Sequence, residues 1–242
     1  MPDGSRCKAP VERFTEKSFD GIEYSYVKRC TVCSLAWHEH SALSWMDPSE
    51  SASRALQEAI QRRLSVPVDK TEENLAARDV LRDVVRTGGT EMSAMLGGPT
   101  GTGKTFLALH ALMACIRKSN ISGLYAPEHI LVKAYKASHD FSNPSRSDWG
   151  QRFLAAAKTK KLLVLDDFGQ NRNVPEGCLD AIEQIIMYRY DAGLQMICTT
   201  NRNVQGLVQE RGQRVMSRLR EMSRDKFVVM SGKDWRASNG EE

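Results

Sequence analysis

A glycine-rich stretch between an apolar run and an amphipathic segment fits the pattern G-x-x-x-x-G-K-[ST] in full. Its residues are Gly98, Pro99, Thr100, Gly101, Thr102, Gly103, Lys104 and Thr105. Glycines let backbone N–H groups converge on phosphate oxygens, and the following helix adds the positive end of its dipole. We expect Lys104 to reach the β- and γ-phosphates and the Thr105 hydroxyl to bind Mg²⁺. The motif predicts a site for ATP and magnesium; the alternative is a plain glycine-rich turn.

An aliphatic run that ends in two aspartates supplies the acidic groups that such a site needs. Residues Leu162–Leu165 predict a strand buried on both faces of a sheet, and Asp166 and Asp167 follow directly. The carboxyl ends of parallel strands open into the crevice where α/β folds bind ligands. We expect Asp166 to hold Mg²⁺ through water and Asp167 to polarise the water that attacks the γ-phosphate. The alternative is a charged strand end without a catalytic role.

A further apolar strand ends in the polar residues Thr199, Thr200 and Asn201. If it lies between the strand before the phosphate loop and the strand before Asp166, Asn201 is aimed at the γ-phosphate. An amide in that position can orient water and sense hydrolysis. The alternative is an ordinary transition from strand to turn.

The segment from Arg202 to Lys226 is rich in arginine and carries an excess of positive charge. An arginine here can serve the γ-phosphate of a neighbouring subunit, a contact worth on the order of 10³–10⁵ in rate in well-studied NTPases. The alternative for any one of these arginines is a place on a solvated helix face.

Cysteine and histidine residues cluster near the N-terminus. Cys7, Cys30 and Cys33, with His38 or His40, supply four ligands, and the Cys-x-x-Cys pair suits tetrahedral zinc. In a reducing cytosol such a cluster binds metal more often than it forms disulfides. We predict a zinc site, and the alternative is a set of free thiols in a small aromatic cluster.

Apolar runs and amphipathic segments alternate from about residue 71 onward. The predicted strands are Met92–Leu96, Gly123–Ala126, Lys161–Leu165, Gln195–Thr199 and Phe227–Met230. The predicted helices are Thr71–Arg86, Lys104–Arg117, Glu128–Ala137, Asp148–Ala157 and Pro175–Asp191. Such alternation is typical of an α/β fold with a parallel five-stranded sheet and helices on both faces.

Length and composition fit this organisation. The chain has 242 residues, 41% hydrophobic and 26% charged, which is ordinary for a globular protein and argues against wholesale disorder. The net charge of +4 is compatible with nucleic acid but does not by itself indicate it. No segment resembles a signal peptide or a membrane span, so we expect a cytoplasmic protein without membrane contact.

The chain divides into three predicted parts: the Cys/His region 1–46, a helix and linker over 47–70, and a nucleotide-binding domain over 71–242. Asp47 at the N-cap, Pro48 in the first turn and apolar residues at helical spacing indicate the helix. These apolar residues are Ala52, Leu56, Ile60 and Leu64. They pack either on the chain's own domain or against a partner.

Together these features resemble the AAA+ ATPases. Within that class they resemble the DnaC-type replicative helicase loaders, with the related IstB-type transposition ATPases close behind. The segments that carry the resemblance are Gly98–Thr105, Leu162–Gly169 (LLVLDDFG), Thr199–Asn201 (TTN) and Arg214–Leu219 (RVMSRL). The resemblance covers roughly residues 92–231.

The resemblance implies ATP-dependent loading of a hexameric, DnaB-like replicative helicase onto single-stranded DNA when replication begins. It implies Arg218 as an arginine finger, Arg214 as the next candidate, and self-association through the ATPase domain. Loaders of this branch lack the helical lid of most AAA+ proteins, and few residues follow Met230, so no C-terminal lid is expected. Because the N-terminal domain of loaders grips the helicase, residues 1–70 are the candidate docking region.

For single-stranded DNA, Lys133, Tyr135 and Lys136 place two cations and an aromatic ring on one predicted helix. That combination suits neutralisation of the DNA backbone and stacking of bases. The alternative is a solvated helix face.

One catalytic position departs from the family pattern. Many AAA+ proteins have glutamate where this chain has Asp167, and the shorter side chain draws the carboxylate back by about one methylene, which catalytic geometry tolerates poorly. We therefore expect slow ATP hydrolysis, regulated by a partner or by DNA. Two other functions stay open: an IstB-like ATPase that binds duplex DNA and directs a transposase, and a small-molecule kinase with the same phosphate loop.

Overall fold

The computed structural model of the chain describes residues 13–17, 23–27, 71–171 and 174–234. The first two segments form antiparallel strands β1 (Arg13–Lys17) and β2 (Glu23–Val27). The predicted zinc ligands and the predicted helix that begins at Asp47 lie outside the described residues.

The larger part, residues 71–234, alternates helices and strands as the sequence predicts. Its elements are α1 (Glu72–Arg86), β3 (Ala94–Gly97), α2 (Lys104–Ser119), β4 (Gly123–Pro127), α3 (Glu128–Ser138), α4 (Pro144–Thr159), β5 (Leu162–Asp166), α5 (Glu176–Asp191), β6 (Gln195–Thr199), α6 (Val204–Arg211), α7 (Gln213–Met222) and β7 (Phe227–Val229). The strands β3 to β7 form one sheet in the order β4-β5-β6-β3-β7, and every neighbouring pair is parallel. The predicted α/β class and parallel five-stranded sheet are confirmed.

Strand β6 lies between β3 and β5, which is the arrangement that the sequence analysis requires of the strand before Asn201. Ala94 of β3 pairs with Ile197, and Leu165 of β5 pairs with Cys198. The carboxyl ends of these three strands therefore meet at one edge of the sheet, beside the glycine-rich loop.

Helices cover both faces of the sheet, because successive strand residues point to opposite sides. On one face, β4 and β5 residues such as Tyr125 and Val164 pack with buried residues of α1 and α2. On the other, Leu124 and Leu163 pack with buried residues of α3, α4, α5 and α7. Within residues 71–171 and 174–234, no helix is long and apolar enough to cross a membrane.

Helix α4 begins at Pro144, a full turn before the predicted start at Asp148. Asn143 is its N-cap, and the Asn143 side chain accepts a hydrogen bond from Arg146 N at 3.1 Å. Proline suits the first turn of a helix because its missing N–H needs no partner there. The prediction was wrong because the polar residues 145–147 resemble a loop, although the Asn-Pro pair carries the correct signal.

The arginine-rich segment 202–226 forms two helices and is not a uniformly solvated face. Gly212, at a φ of +81°, separates α6 from α7, a conformation that glycine adopts at little cost. Leu207 of α6 and Val215 and Leu219 of α7 are buried in the core. The packed faces of both helices thus fix where their arginines point.

Candidate nucleotide-binding site

The glycine-rich loop lies between the end of β3 and the start of α2. Gly98, Gly101 and Gly103 have φ angles of +128°, +82° and +93°, which are open to glycine and strained for other residues. Gly103 leads directly into Lys104, the first residue of α2. The N–H groups in the first turn of a helix and the positive end of its dipole favour an anion at this point.

The chain after β7 crosses this loop. A Cβ atom on Gly98 would overlap the Met230 carbonyl, and one on Gly101 would overlap the Asp234 carboxylate. Both glycines are thus required by contact as well as by backbone conformation. The sequence gives no local sign of this contact.

The first turn of α1 holds the chain after β7 in place. The buried Asn74 side chain donates to Ser231 O at 2.9 Å, and its Oδ1 accepts from Ser231 N at 3.2 Å. Ser231 Oγ donates to Glu73 Oε2 at 3.0 Å and also lies within hydrogen-bond distance of Thr71 Oγ1, at 3.1 Å. A backbone hydrogen bond, together with those from Ser231 and Thr71, lowers the pKa of the Glu73 carboxyl group. This clasp of Thr71, Glu73, Asn74 and Ser231 ties α1 to the chain beside the phosphate loop.

Lys104 is buried inside the loop. Its Nζ donates to Gly98 O at 2.8 Å and to Pro99 O at 2.6 Å. The loop also closes on itself, because Thr102 Oγ1 donates to Pro99 O at 3.0 Å. The ammonium group is therefore positioned by the loop's own carbonyl oxygens.

Asp166 is fully buried at the end of β5, and three hydroxyl groups donate to its carboxylate. Oδ1 accepts from Thr105 Oγ1 at 2.8 Å and from Thr199 Oγ1 at 2.5 Å, and Oδ2 accepts from Tyr125 OH at 2.6 Å. These three hydrogen bonds fix the orientation of the Asp166 carboxylate. The two residues that the sequence analysis paired for Mg²⁺, Thr105 and Asp166, thus meet directly.

Sequence reasoning missed Thr199 and Tyr125 as partners of Asp166. The polar end of β6 was a signal for Thr199. Tyr125 had none, because its approach depends on the parallel register in which Tyr125 of β4 pairs with Val164 of β5.

Asp167 follows with a φ of +56°, and its N–H donates to Thr199 Oγ1 at 3.0 Å. Aspartate and asparagine tolerate this left-handed region better than most residues with a side chain. The backbone here thus favours the short acidic side chain at the position where many AAA+ proteins have glutamate.

Asn201 is half-buried and follows the end of β6. The preceding Thr200 donates through Oγ1 to Phe168 O at 2.7 Å, which joins the end of β6 to the loop after β5. Asp166, Asp167 and Asn201 therefore share one edge of the sheet.

The two predicted finger arginines lie on α7. The Arg218 guanidinium lies 4.4 Å from the centre of the Tyr190 ring, and Nη1 donates to Tyr190 OH at 3.2 Å and Glu221 Oε2 at 3.1 Å. The Arg214 side chain is 73% exposed, with Nη1 3.8 Å from Glu183 Oε1. The contacts that these two arginines make are with side chains of α5 and α7.

The residues at this edge fit a magnesium nucleotide. A hydroxyl and a carboxylate are the hard oxygen donors that Mg²⁺ prefers, and the loop with its helix N-terminus suits phosphate. In the parts of the chain that the structure describes, no group of three or more His, Cys, Asp or Glu side chains is placed to hold a metal ion. The zinc site at Cys7, Cys30, Cys33 and His38 stays a prediction.

The α/β fold with its parallel five-stranded sheet matches the fold of solved helicase loaders and replication initiators. No protein-family model matches the sequence, and no curated protein matches it. Solved structures do match. The chain is similar to the crystal structure of the DnaC helicase loader, at 24% identity and a TM-score of 0.60, over 72% of this chain and 99% of that one.

It is also similar to the crystal structure of DnaI, at 22% identity and a TM-score of 0.58, over 74% of this chain and 93% of that one. A third match is the replication initiator DnaA bound to AMPPCP and single-stranded DNA, at 21% identity and a TM-score of 0.57, over 70% of this chain and 50% of that one. At these identities the likeness establishes the fold.

Proposed function

We propose that this chain is an ATP-dependent loader that places a DnaB-like replicative helicase on single-stranded DNA when replication begins. The observation that supports it most is the likeness in fold to the DnaC helicase loader, over 99% of that chain, together with the contact between Thr105 and Asp166 beside the phosphate loop. The proposal agrees with what the sequence motifs imply.

In this proposal the loop binds the phosphates of ATP. Lys104 exchanges its contacts with Gly98 O and Pro99 O for phosphate oxygens, and Thr105 and Asp166 hold magnesium. Bound Mg²⁺ would neutralise charge that develops on the phosphate oxygens. Tyr125 and Thr199 fix the Asp166 carboxylate, so the site needs little rearrangement in this part.

Asp167 and Asn201 act on the attacking water. Asp167 accepts its proton and Asn201 orients it. Because the Asp167 carboxylate is short and its backbone is left-handed, we expect slow hydrolysis that a partner or DNA accelerates.

Self-association would complete the site. Arg218, with Arg214 as the second candidate, would serve the nucleotide of a neighbouring subunit. The Arg218 side chain would leave Tyr190 and Glu221 to do so. Until a neighbour binds, those contacts hold the side chain against α5 and its own helix.

For single-stranded DNA, Tyr135 stays a predicted stacking residue, and the structure offers Phe141 as a second aromatic candidate. The Tyr135 ring packs against His139, with ring centres 4.4 Å apart, and a Cβ atom on Gly177 would overlap the Tyr135 hydroxyl. Phe141, in the loop after α3, is 85% exposed. We propose that Phe141 stacks on a base and that Lys133 and Lys136 attract the DNA backbone.

Nucleotide binding is tested with a fluorescent ATP analogue and Mg²⁺. We expect Lys104→Ala to weaken binding at least about tenfold, because a charge-assisted contact to phosphate is lost. Lys118→Ala, at the exposed end of the same helix, is the matched control and leaves the affinity unchanged. Equal affinity of both variants would overturn the nucleotide assignment.

Loading is tested with the replicative helicase of the same organism and circular single-stranded DNA coated with single-strand-binding protein. The proposal predicts helicase on the circles only with this chain and ATP, and none with Lys104→Ala. Absence of helicase complex formation, with a preference for duplex DNA and for a transposase, would support the IstB-like function instead. ATP turnover stimulated by a metabolite alone would indicate the kinase.

A further inference from the structure

Glu128, the first residue of α3, is a fully buried carboxylate at the same edge of the sheet as the site. It accepts hydrogen bonds from three donors in two separate parts of the chain. The donors are Gly169 N at 2.5 Å, Asn171 Nδ2 at 3.3 Å and Arg211 Nη2 at 2.6 Å. Neither Glu128 nor Arg211 stood out in the sequence.

Two of these donors belong to the loop that carries Asp167. Gly169 lies two residues after Asp167, at a φ of +77°, and a Cβ atom on it would overlap Leu207 of α6. Arg202 Nε donates to Gly169 O at 3.0 Å. The loop is thus held at Gly169 from both sides, by Glu128 at the N–H and by Arg202 at the carbonyl.

The third donor connects this loop with the finger arginines. Arg211 is the last residue of α6 and is only 6% exposed, and Gly212 then leads into α7. Its guanidinium also lies 5.6 Å from the centre of the Phe168 ring, beside Asp167. One buried ion pair therefore contacts the loop after β5, and its arginine lies two residues before the helix that carries Arg214 and Arg218.

We propose that Glu128 is a positioning residue for Asp167, and that its ion pair with Arg211 couples the position of α7 to that of the loop that carries Asp167. The proposal rests on the proposed ATPase function. In this arrangement a change at the γ-phosphate that moves the loop also moves the end of α6. The arginines of one subunit thereby respond to that subunit's own nucleotide.

The charge of Glu128 is what distinguishes this role from simple packing. Glu128→Gln keeps the volume and one acceptor oxygen for Gly169 N, but it removes the negative charge that holds Arg211. Asp148→Asn is the matched control, because Asp148 also accepts from an arginine at 2.6 Å, in an exposed pair with Arg152 on α4.

The first measurement is hydrogen exchange at residues 167–171 and 212–222 of the full chain, without nucleotide. We expect Glu128→Gln to raise the exchange rate in both segments at least about fivefold, since Gly169 N loses a charged acceptor and α7 loses its anchor. Asp148→Asn leaves both unchanged. Unchanged exchange in Glu128→Gln would overturn the proposal whatever the activity of the chain.

The second measurement separates positioning from folding. We expect Glu128→Gln to lower kcat for ATP at least about tenfold with nucleotide affinity within about twofold of wild type, since displacing a catalytic group costs rate more than ground-state binding. Arg211→Lys, which keeps the charge, recovers part of the rate that Arg211→Met loses. A parallel loss of affinity and kcat would indicate a structural role and contradict the proposal.

Failure of the proposed function has a different signature. A wild-type chain that neither binds nor hydrolyses ATP contradicts the function, and the exchange experiment still decides whether Glu128 holds the loop. A wild-type ATPase that loads no helicase contradicts only the loader assignment.

Discussion

Two arginine side chains are buried at opposite edges of the same sheet, and their partners differ. Arg189 of α5, fully buried, lies where β5 and β6 begin, and Arg211 lies where β4 and β5 end, beside the candidate site. Arg189 donates only to backbone carbonyls, those of Ala157, Lys158, Lys160, Lys161 and Gln195. Arg211 donates to one carboxylate, Glu128.

The two buried arginines differ in whether the charge of their partners can change. Carbonyls at the end of α4 carry the negative end of a helix dipole and cannot change charge. Burial lowers the pKa of Arg189 to about 9, so it stays a cation at neutral pH. The Glu128 carboxylate can gain a proton, and its partners lie in a loop and at the end of a helix. We infer that the Arg189 edge is structural, and that the Arg211 edge is the one able to respond to a ligand.

The largest effect is expected from Arg189→Met. Several buried carbonyls lose their donor at once, and each unsatisfied buried group costs about 1–3 kcal/mol, partly offset because a buried charge is removed. We expect the free energy of unfolding to fall by about 4 kcal/mol, measured by urea denaturation. A loss below about 1 kcal/mol would show that water replaces the guanidinium and would remove the distinction between the edges.

Arg211→Met should cost less, about 3 kcal/mol, because it leaves the buried Glu128 without its cation. Unlike Arg189→Met, it should also lower ATP turnover in a preparation shown to be folded. Thermal unfolding and single-turnover hydrolysis together measure both effects. Full turnover in the folded variant would contradict the adjustable role of this edge.

Replacement by lysine sharpens the comparison. An ammonium group has three N–H donors and cannot serve five carbonyls, so Arg189→Lys should lose about 2 kcal/mol. Arg211 makes one short contact with Glu128, which lysine can keep, so Arg211→Lys should lose about 1 kcal/mol or less. The reverse order in urea denaturation would mean that charge, not the number of donors, dominates at Arg189.

The smallest effect is a dependence on pH that only the Arg211 edge should show. Burial raises the pKa of Glu128 above its ordinary 4.5, and the nearby charge of Glu210 adds to this effect. The charge of Arg211 and the hydrogen bonds from Gly169 and Asn171 lower the pKa, but burial is the largest effect. The unfolded chain then releases this proton at lower pH than the folded chain does. The stability that Glu128 contributes is therefore full below the unfolded pKa and is lost as pH rises through the folded pKa.

Glu128→Gln does not titrate, so it isolates that contribution. Its stability relative to wild type should increase as the pH rises from about 4 toward 7, in parallel urea titrations. Arg189→Lys should show no such trend in this range. If the stability of Glu128→Gln relative to wild type instead falls as the pH rises, then Arg211 has a larger effect on the pKa of Glu128 than burial has.

The sequence predicted the central sheet and the phosphate loop because their signals are local. The aliphatic run before Asp166 and the glycines before Lys104 specify strand and loop within a few residues. The place of β6 between β3 and β5 followed from the class of fold. The short helix α6 lacked such a signal, because Leu207 is the single fully buried apolar side chain among its eight residues.

The buried ion pair and the buried Arg189 could not be predicted. Glu128 and Arg211 are 83 positions apart, and each looks like an ordinary surface charge near a helix end. Arg189 has an unremarkable place in a helical pattern, and its partners are backbone atoms, which every residue carries. Such contacts depend on the packed fold and leave no trace in residue type or spacing.

The clasp between α1 and the chain after β7 has a mechanical consequence. Thr71 is the first described residue of the domain, Ser231 lies three residues before the last one, and their hydroxyls are 3.1 Å apart. A force that pulls the two ends of the domain apart would act on the hydrogen bonds of the clasp before it reached the sheet. The loop at Gly98 and Gly101 contacts the same stretch of chain, at Met230 and Asp234, so force on the ends of the domain would reach this loop early.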